Sequence, residues 1–230
     1  MLPAIITIGV IVTLIFLIMR VLKGGLPAMF FKAGASACFI GTACAAFSMN
    51  RSKFEYGILM ILGFIFSLLG DVWLDLKYVY KEHERIYTFA GFICFMLGHI
   101  FFIPAVLIGY KIMKWQYLLT GLLICLGFVV ACALMEKVMK LNYGVYKPIT
   151  LVYSFLVTGT AVAAVMGMIV NGFTKKYVVL SVGAVAFLLS DLVLSSIYFA
   201  KDKNTKANVL INHILYYFAQ FAFASTLFMS

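Results

Sequence analysis

The first nineteen residues carry no charged side chain and are almost all apolar. A helix of that length spans most of the roughly 30 Å hydrocarbon core of a bilayer, because each residue adds about 1.5 Å. In hydrocarbon every backbone N–H and C=O must be satisfied within the protein, so such a run is a helix or a strand of a closed barrel. A barrel strand alternates apolar and polar residues, whereas these runs are continuous. The pattern recurs to the end of the chain, where 65% of the 230 residues are hydrophobic and only 11% are charged. The expected class is therefore all-α, a polytopic membrane bundle of eight transmembrane helices. Residues 1–230 read as one domain, since no polar linker divides the runs.

The eight spans are expected at about 3–22, 26–49, 55–77, 87–110, 115–136, 146–170, 177–200 and 207–229. The first lacks a basic leader and a polar cleavage segment, so it reads as a retained span. A net charge of +10 would point to nucleic acid in a soluble protein. Here Lys and Arg flank the apolar runs, so topology and anionic headgroups account for them and no nucleic-acid partner is expected. With both termini outside, twelve Lys and Arg fall on the inner side and six on the outer. That two-to-one bias orients the bundle. Five cysteines, Cys38, Cys44, Cys94, Cys125 and Cys132, lie within the runs as free thiols without metal-ligand spacing.

Against this background two aspartates stand out. Asp71 follows Leu68-Leu69-Gly70, and Asp191 follows Leu188-Leu189-Ser190. A charge in hydrocarbon is costly and marks a functional position. Asp71 lies some six residues from the inner end of its span, roughly 9 Å deep, and Asp191 lies at a similar depth. Ser67, Asp71 and Asp75 share one helix face, as do Phe187, Asp191 and Ser195. His213, Tyr217 and Gln220 share another, while His99 sits nearer mid-membrane and Lys32 opens the second span. Each also has a plainer structural reading: Asp71 could pair with Lys32, Asp191 could bond Tyr217, Asp75 could cap its span, and the histidines could be hydrogen-bonded core residues. Four-residue rows of small residues, Ala33-Ala37-Gly41-Ala45 and Gly159-Ala163-Gly167, would let helices approach closely.

Two carboxyls close together in low dielectric do not both ionise, which leaves a general acid beside a carboxylate. That arrangement suits protonation of a substrate carbon or oxygen, stabilisation of an oxocarbenium-like cation and attack by water. A site opening toward the inner leaflet would select a lipid. The same groups could serve a proton-coupled transporter or a lipid-binding protein. An intramembrane aspartyl protease also needs two aspartates, but no Gly-x-Gly-Asp pattern precedes Asp71. A metal hydrolase would need firmer ligand spacing than His99, His213 and an aspartate provide, so no metal is expected.

Four blocks in order carry a family resemblance: Phe66 to Leu74, Gly91 to Phe102, Val182 to Leu194, and Tyr216 to Gln220. In order and spacing the chain resembles the YhhN-type membrane family, which includes the lysoplasmalogenases. The resemblance implies hydrolysis of the vinyl ether bond of a lysoplasmalogen, giving a fatty aldehyde and a glycerophospho-alcohol without a cofactor. It implies Asp71 and Asp191 as catalytic residues and Lys32, His99, Tyr217 and Gln220 as substrate-binding ones. His213 joins them by position alone. The implied partners are the lysophospholipid substrate and the lipids of a cell membrane that the chain crosses several times. Ala33 stands where the family often has Pro, and Ser195 where Ala is usual.

Overall fold

The computed structural model of the chain describes residues 2–51 and 53–229. It is all-α: α1 (Leu2–Leu22), α2 (Gly25–Met49), α3 (Phe54–Val79), α4 (Glu84–Gly109), α5 (Trp115–Val138), α6 (Lys147–Asn171), α7 (Lys175–Phe199) and α8 (Lys206–Ser225). Single 3₁₀ turns, Lys81–His83 and Gly144–Tyr146, lead into α4 and α6. Among the described residues, seven helices are long and apolar enough to cross a membrane. All eight expected helices are present, and α8 is the one outside those seven. α8 stops at Ser225 rather than near 229 and carries Asn208, Asn212, His213 and Gln220. It still runs antiparallel along α7: Asn212 Nδ2 donates to the Ser190 carbonyl at 2.8 Å, and Lys176 Nζ donates to the Met229 carbonyl at 2.8 Å near the other end. Its polar residues are affordable because α7, α2 and α1 cover it.

The tightest seam joins α3 to α4, and glycine creates it. A Cβ on Gly98 would lie 3.2 Å from the Gly63 carbonyl oxygen, and one on Gly70 would lie 2.7 Å from the Phe95 ring. On Gly63 and Gly91 it would run into Phe102 and Leu74. Without a hydrophobic drive between helices in lipid, such close backbone approach supplies packing energy. The small-residue row expected on α2 does not do this, because Ala37 and Gly41 are exposed. The buried row on that helix is Ala35, Phe39, Ala43 and Ala46. On α6 the expected row does meet neighbours, with Gly159 against Ile103 and Gly167 against Tyr110 and Ile112.

α1 turns into α2 through Gly24 (φ 63°) and Gly25 (φ 56°), a left-handed pair that side chains resist. α2 lies against α1, α3 and α8, while α6 lies against α4, α5 and α7. α5 is the outlier. It rests chiefly on α6, and Cys125 is its one buried residue.

Candidate active site

At the ends of α1, α3 and α7 and the starts of α2 and α8, the bundle encloses a polar cavity of about 310 Å³. Asp71, Asp191, Lys32 and His213 line it. Its rim is formed by the Gly24-Gly25 turn and by Asn204, Thr205 and Lys206. Thr205 Oγ1 accepts from the Asn208 N–H at 3.2 Å, so the α8 side of the rim is a capped helix start.

Asp71 is 2% exposed and fully engaged. Oδ1 lies 3.2 Å from Lys32 Nζ, while Oδ2 accepts from Ser36 Oγ and from Tyr216 Oη, each at 2.6 Å. Phe95 meets Tyr216 edge-on at 5.9 Å and Phe187 meets it at 5.4 Å, which holds the phenol on the carboxylate. The α3–α4 seam thus reaches the site, because Gly70 is what lets Phe95 come this close.

Asp75, one turn further on, is no interfacial cap. It is buried and ion-paired with Arg20, and its Oδ1 lies 3.2 Å from Lys32 Nζ. Lys32, which the family resemblance implies as substrate-binding, bridges the two carboxylates of α3, as the plainer reading of an Asp71–Lys32 pair expects. Two cations and two carboxylates make this cluster neutral. Each charge is paired, which is the condition for keeping charge in a low-dielectric interior.

Asp191 stands outside that cluster. Its Oδ2 accepts from Tyr153 Oη at 2.7 Å, and among the described residues Oδ1 has no partner. No cation lies within ion-pair distance of it among those residues. It is also the less enclosed of the two, half-buried and open to the cavity. No hydrogen bond joins Asp71 to Asp191, so the expected pair sharing a proton is instead two carboxyls with separate partners facing one cavity. Nor does Asp191 bond Tyr217.

The other expected site residues divide. His213 lines the cavity; its Nδ1 donates to the Val209 carbonyl at 2.7 Å and its ring meets Phe16 edge-on at 5.0 Å. Tyr217 lies behind Lys32, donating to that residue's carbonyl at 3.1 Å and meeting Ser36 Oγ at 3.1 Å. His99 is buried with Nδ1 2.9 Å from Thr160 Oγ1, and it reaches the site through edge contacts with the Phe187 ring at 4.8 Å and the Tyr153 ring at 5.8 Å. Gln220 is wholly buried on α8, one turn beyond Tyr216. Neither His99, Tyr217 nor Gln220 lines the polar cavity. Among the described residues no three His, Cys, Asp or Glu side chains converge as a metal site.

Sequence reasoning missed Arg20, Ser36, Tyr153 and Tyr216. Ser36 was findable, since it lies one turn from Lys32 on the same face. Tyr216 was hidden by the choice of face: on α8 the row meeting the cavity is Val209, Asn212, His213 and Tyr216, one position round from Tyr217. Tyr153 had as its signal the neighbouring row Thr150, Ser154 and Thr158, polar residues one turn apart in a membrane span. Residues 3–227 match the sequence model described as the YhhN family. No curated protein and no solved structure matches the chain.

Proposed function

The chain belongs to the YhhN family, and from that premise we propose that it is a membrane lysoplasmalogenase, hydrolysing the vinyl ether bond of lysoplasmalogens. The family includes enzymes of this kind. The observation that carries the reading is the unequal provision for two carboxyls on one cavity. Asp71 is bridged to a cation, and Asp191 has only a phenol. A carboxyl desolvated without a counter-charge is suited to hold a proton for donation, and one held by Lys is suited to remain an anion.

In the proposed reaction Asp191 gives its proton to the vinyl carbon beta to the ether oxygen. The neighbouring carbon becomes an oxocarbenium centre, stabilised by the carboxylate just formed on Asp191, with Asp71 as the second anion of the cavity. Water adds to that carbon and loses a proton to the Asp191 carboxylate, restoring the acid. The hemiacetal then parts, its proton moving to the leaving glycerol oxygen, to give an aldehyde and a glycerophospho-alcohol. Protons balance across the cycle and no cofactor is consumed. Lys206 at the rim has no carboxylate partner among the described residues and suits the headgroup phosphate. The charge bias of the loops favours a mouth on the cytoplasmic side with both termini outside.

The test is turnover by detergent-purified protein, followed by mass spectrometry, on lysoplasmenylethanolamine and on its saturated alkyl-ether analogue. Aldehyde is expected from the vinyl ether alone, with or without chelator and without any ion gradient. A folded protein that releases none overturns the reading.

A further inference from the structure

Asp191 lines a second cavity as well as the polar one. This chamber, of about 610 Å³, lies between α5, α6 and α7 and falls in the size range of small-ligand sites. Its walls are mainly apolar, with Phe128, Ala131, Cys132 and Met135 from α5, Val157 from α6 and Leu188 from α7. At one end the Leu141–Ala200 bridge closes it, where Asn142 N donates to the Phe199 carbonyl at 2.8 Å. Toward the bilayer it is not sealed. Met135, Leu189 and Leu192 line the chamber and are also exposed on the outside of the bundle, and α5 is held mainly by α6.

We propose that this chamber takes the single hydrocarbon chain of an amphiphilic lipid, received laterally between α5 and α7, and that α5 sets the chain length accepted. The juxtaposition argues for it. A polar cavity with a cationic rim and an apolar chamber meet at one carboxyl, which is where a lipid changes from head to chain. Another large apolar hollow, of about 600 Å³ between α1, α7 and α8, is lined by neither aspartate. The chemistry at the junction rests on the proposed hydrolysis, but the occupancy of the chamber does not.

Cys132 is a native reporter inside the chamber, and Cys38, Cys44 and Cys94 report from other helices. The experiment uses unmodified protein in phosphatidylcholine nanodiscs, alkylated with a small permeant maleimide and mapped by mass spectrometry. The probe is a non-hydrolysable hexadecyl-ether lysophosphatidylethanolamine. We expect it to slow labelling at Cys132 by about fivefold or more, with the other three thiols unchanged. An Ala131→Trp variant should lose protection by the hexadecyl lipid and keep it for the octyl homologue. Equal labelling of Cys132 with and without lipid overturns the proposal, and so does a hexadecyl protection that Ala131→Trp leaves intact. Protection in a protein that releases no aldehyde would sink the hydrolase reading and leave the chain chamber standing. Aldehyde release without protection would do the reverse.

Discussion

Leu68-Leu69-Gly70-Asp71 on α3 and Leu188-Leu189-Ser190-Asp191 on α7 differ at one position, yet their surroundings are unlike. On α3 the small residue is a point of approach, because Gly70 admits Phe95, which in turn braces Tyr216 against Asp71. On α7 the small residue is a polar tie: Ser190 Oγ donates to the Phe187 carbonyl at 2.7 Å, and its own carbonyl accepts from Asn212. One turn later the two copies part completely. Asp75 anchors Arg20 and Lys32, whereas Ser195 faces the apolar chamber. The same four-residue pattern therefore yields a carboxylate locked among charges and a carboxyl left almost alone. What an intramembrane aspartate can do is settled by its neighbours on other helices, not by its own turn.

The largest effect should come from Asp191→Asn, which removes the group placed to donate. A loss of roughly a thousandfold in turnover is expected, with folding retained, since positioned acids contribute about 10²–10⁴. If Asp71→Asn cost more than Asp191→Asn in the same aldehyde assay, the roles assigned to the two copies would have to be exchanged. Next comes Lys32→Met, which leaves Asp71 and Asp75 with Arg20 alone. Breaking a buried ion pair costs about 3–5 kcal/mol, so thermal unfolding in detergent should move sharply downward. Adding Asp71→Asn should restore part of that stability, because Asp71 is the carboxylate left without a cation while Asp75 keeps Arg20. No recovery in the double variant would mean that Lys32 acts through packing.

Tyr153→Phe sharpens the comparison from the α7 side. It deletes the hydrogen bond to Asp191, and a fall of about tenfold in kcat is expected for a bond to a reacting group worth about 1.4 kcal/mol. KM and unfolding temperature should change little. The matching change on α3, Ser36→Ala, should be the smallest. Asp71 keeps Lys32 and Tyr216, so the cost is expected near 1 kcal/mol of stability with turnover within about threefold. Equal kinetic effects from Tyr153→Phe and Ser36→Ala would erase the distinction between the two aspartates.

Much of this was legible in the sequence. Uncharged runs of bilayer length leave the backbone no alternative but helices, and the helix-flanking cations mark where each one ends. The helical rise and an alternating topology put Asp71, Asp191, His213 and His99 at compatible depths; the first three line one cavity and His99 does not. The sequence by itself thus determined the class and the number of helices. Such properties follow from local hydropathy and from periodicity along a single helix.

The rotation of each helix about its axis and the identity of its neighbours were decided only in the tertiary structure. Tyr216 rather than Tyr217 reaches Asp71 because α8 is turned by one position relative to the face chosen from spacing. Lys32 meets Asp75 as well as Asp71 because α2 packs on α3. Tyr153 finds Asp191 across the α6–α7 contact, which no spacing within α6 specifies. The chamber behind Asp191 exists because α5 stands away from α7, a gap left between helices and written in neither of them. In lipid no hydrophobic force selects which face of an apolar helix turns inward, so close packing and buried polar contacts make that choice, and both belong to pairs of helices.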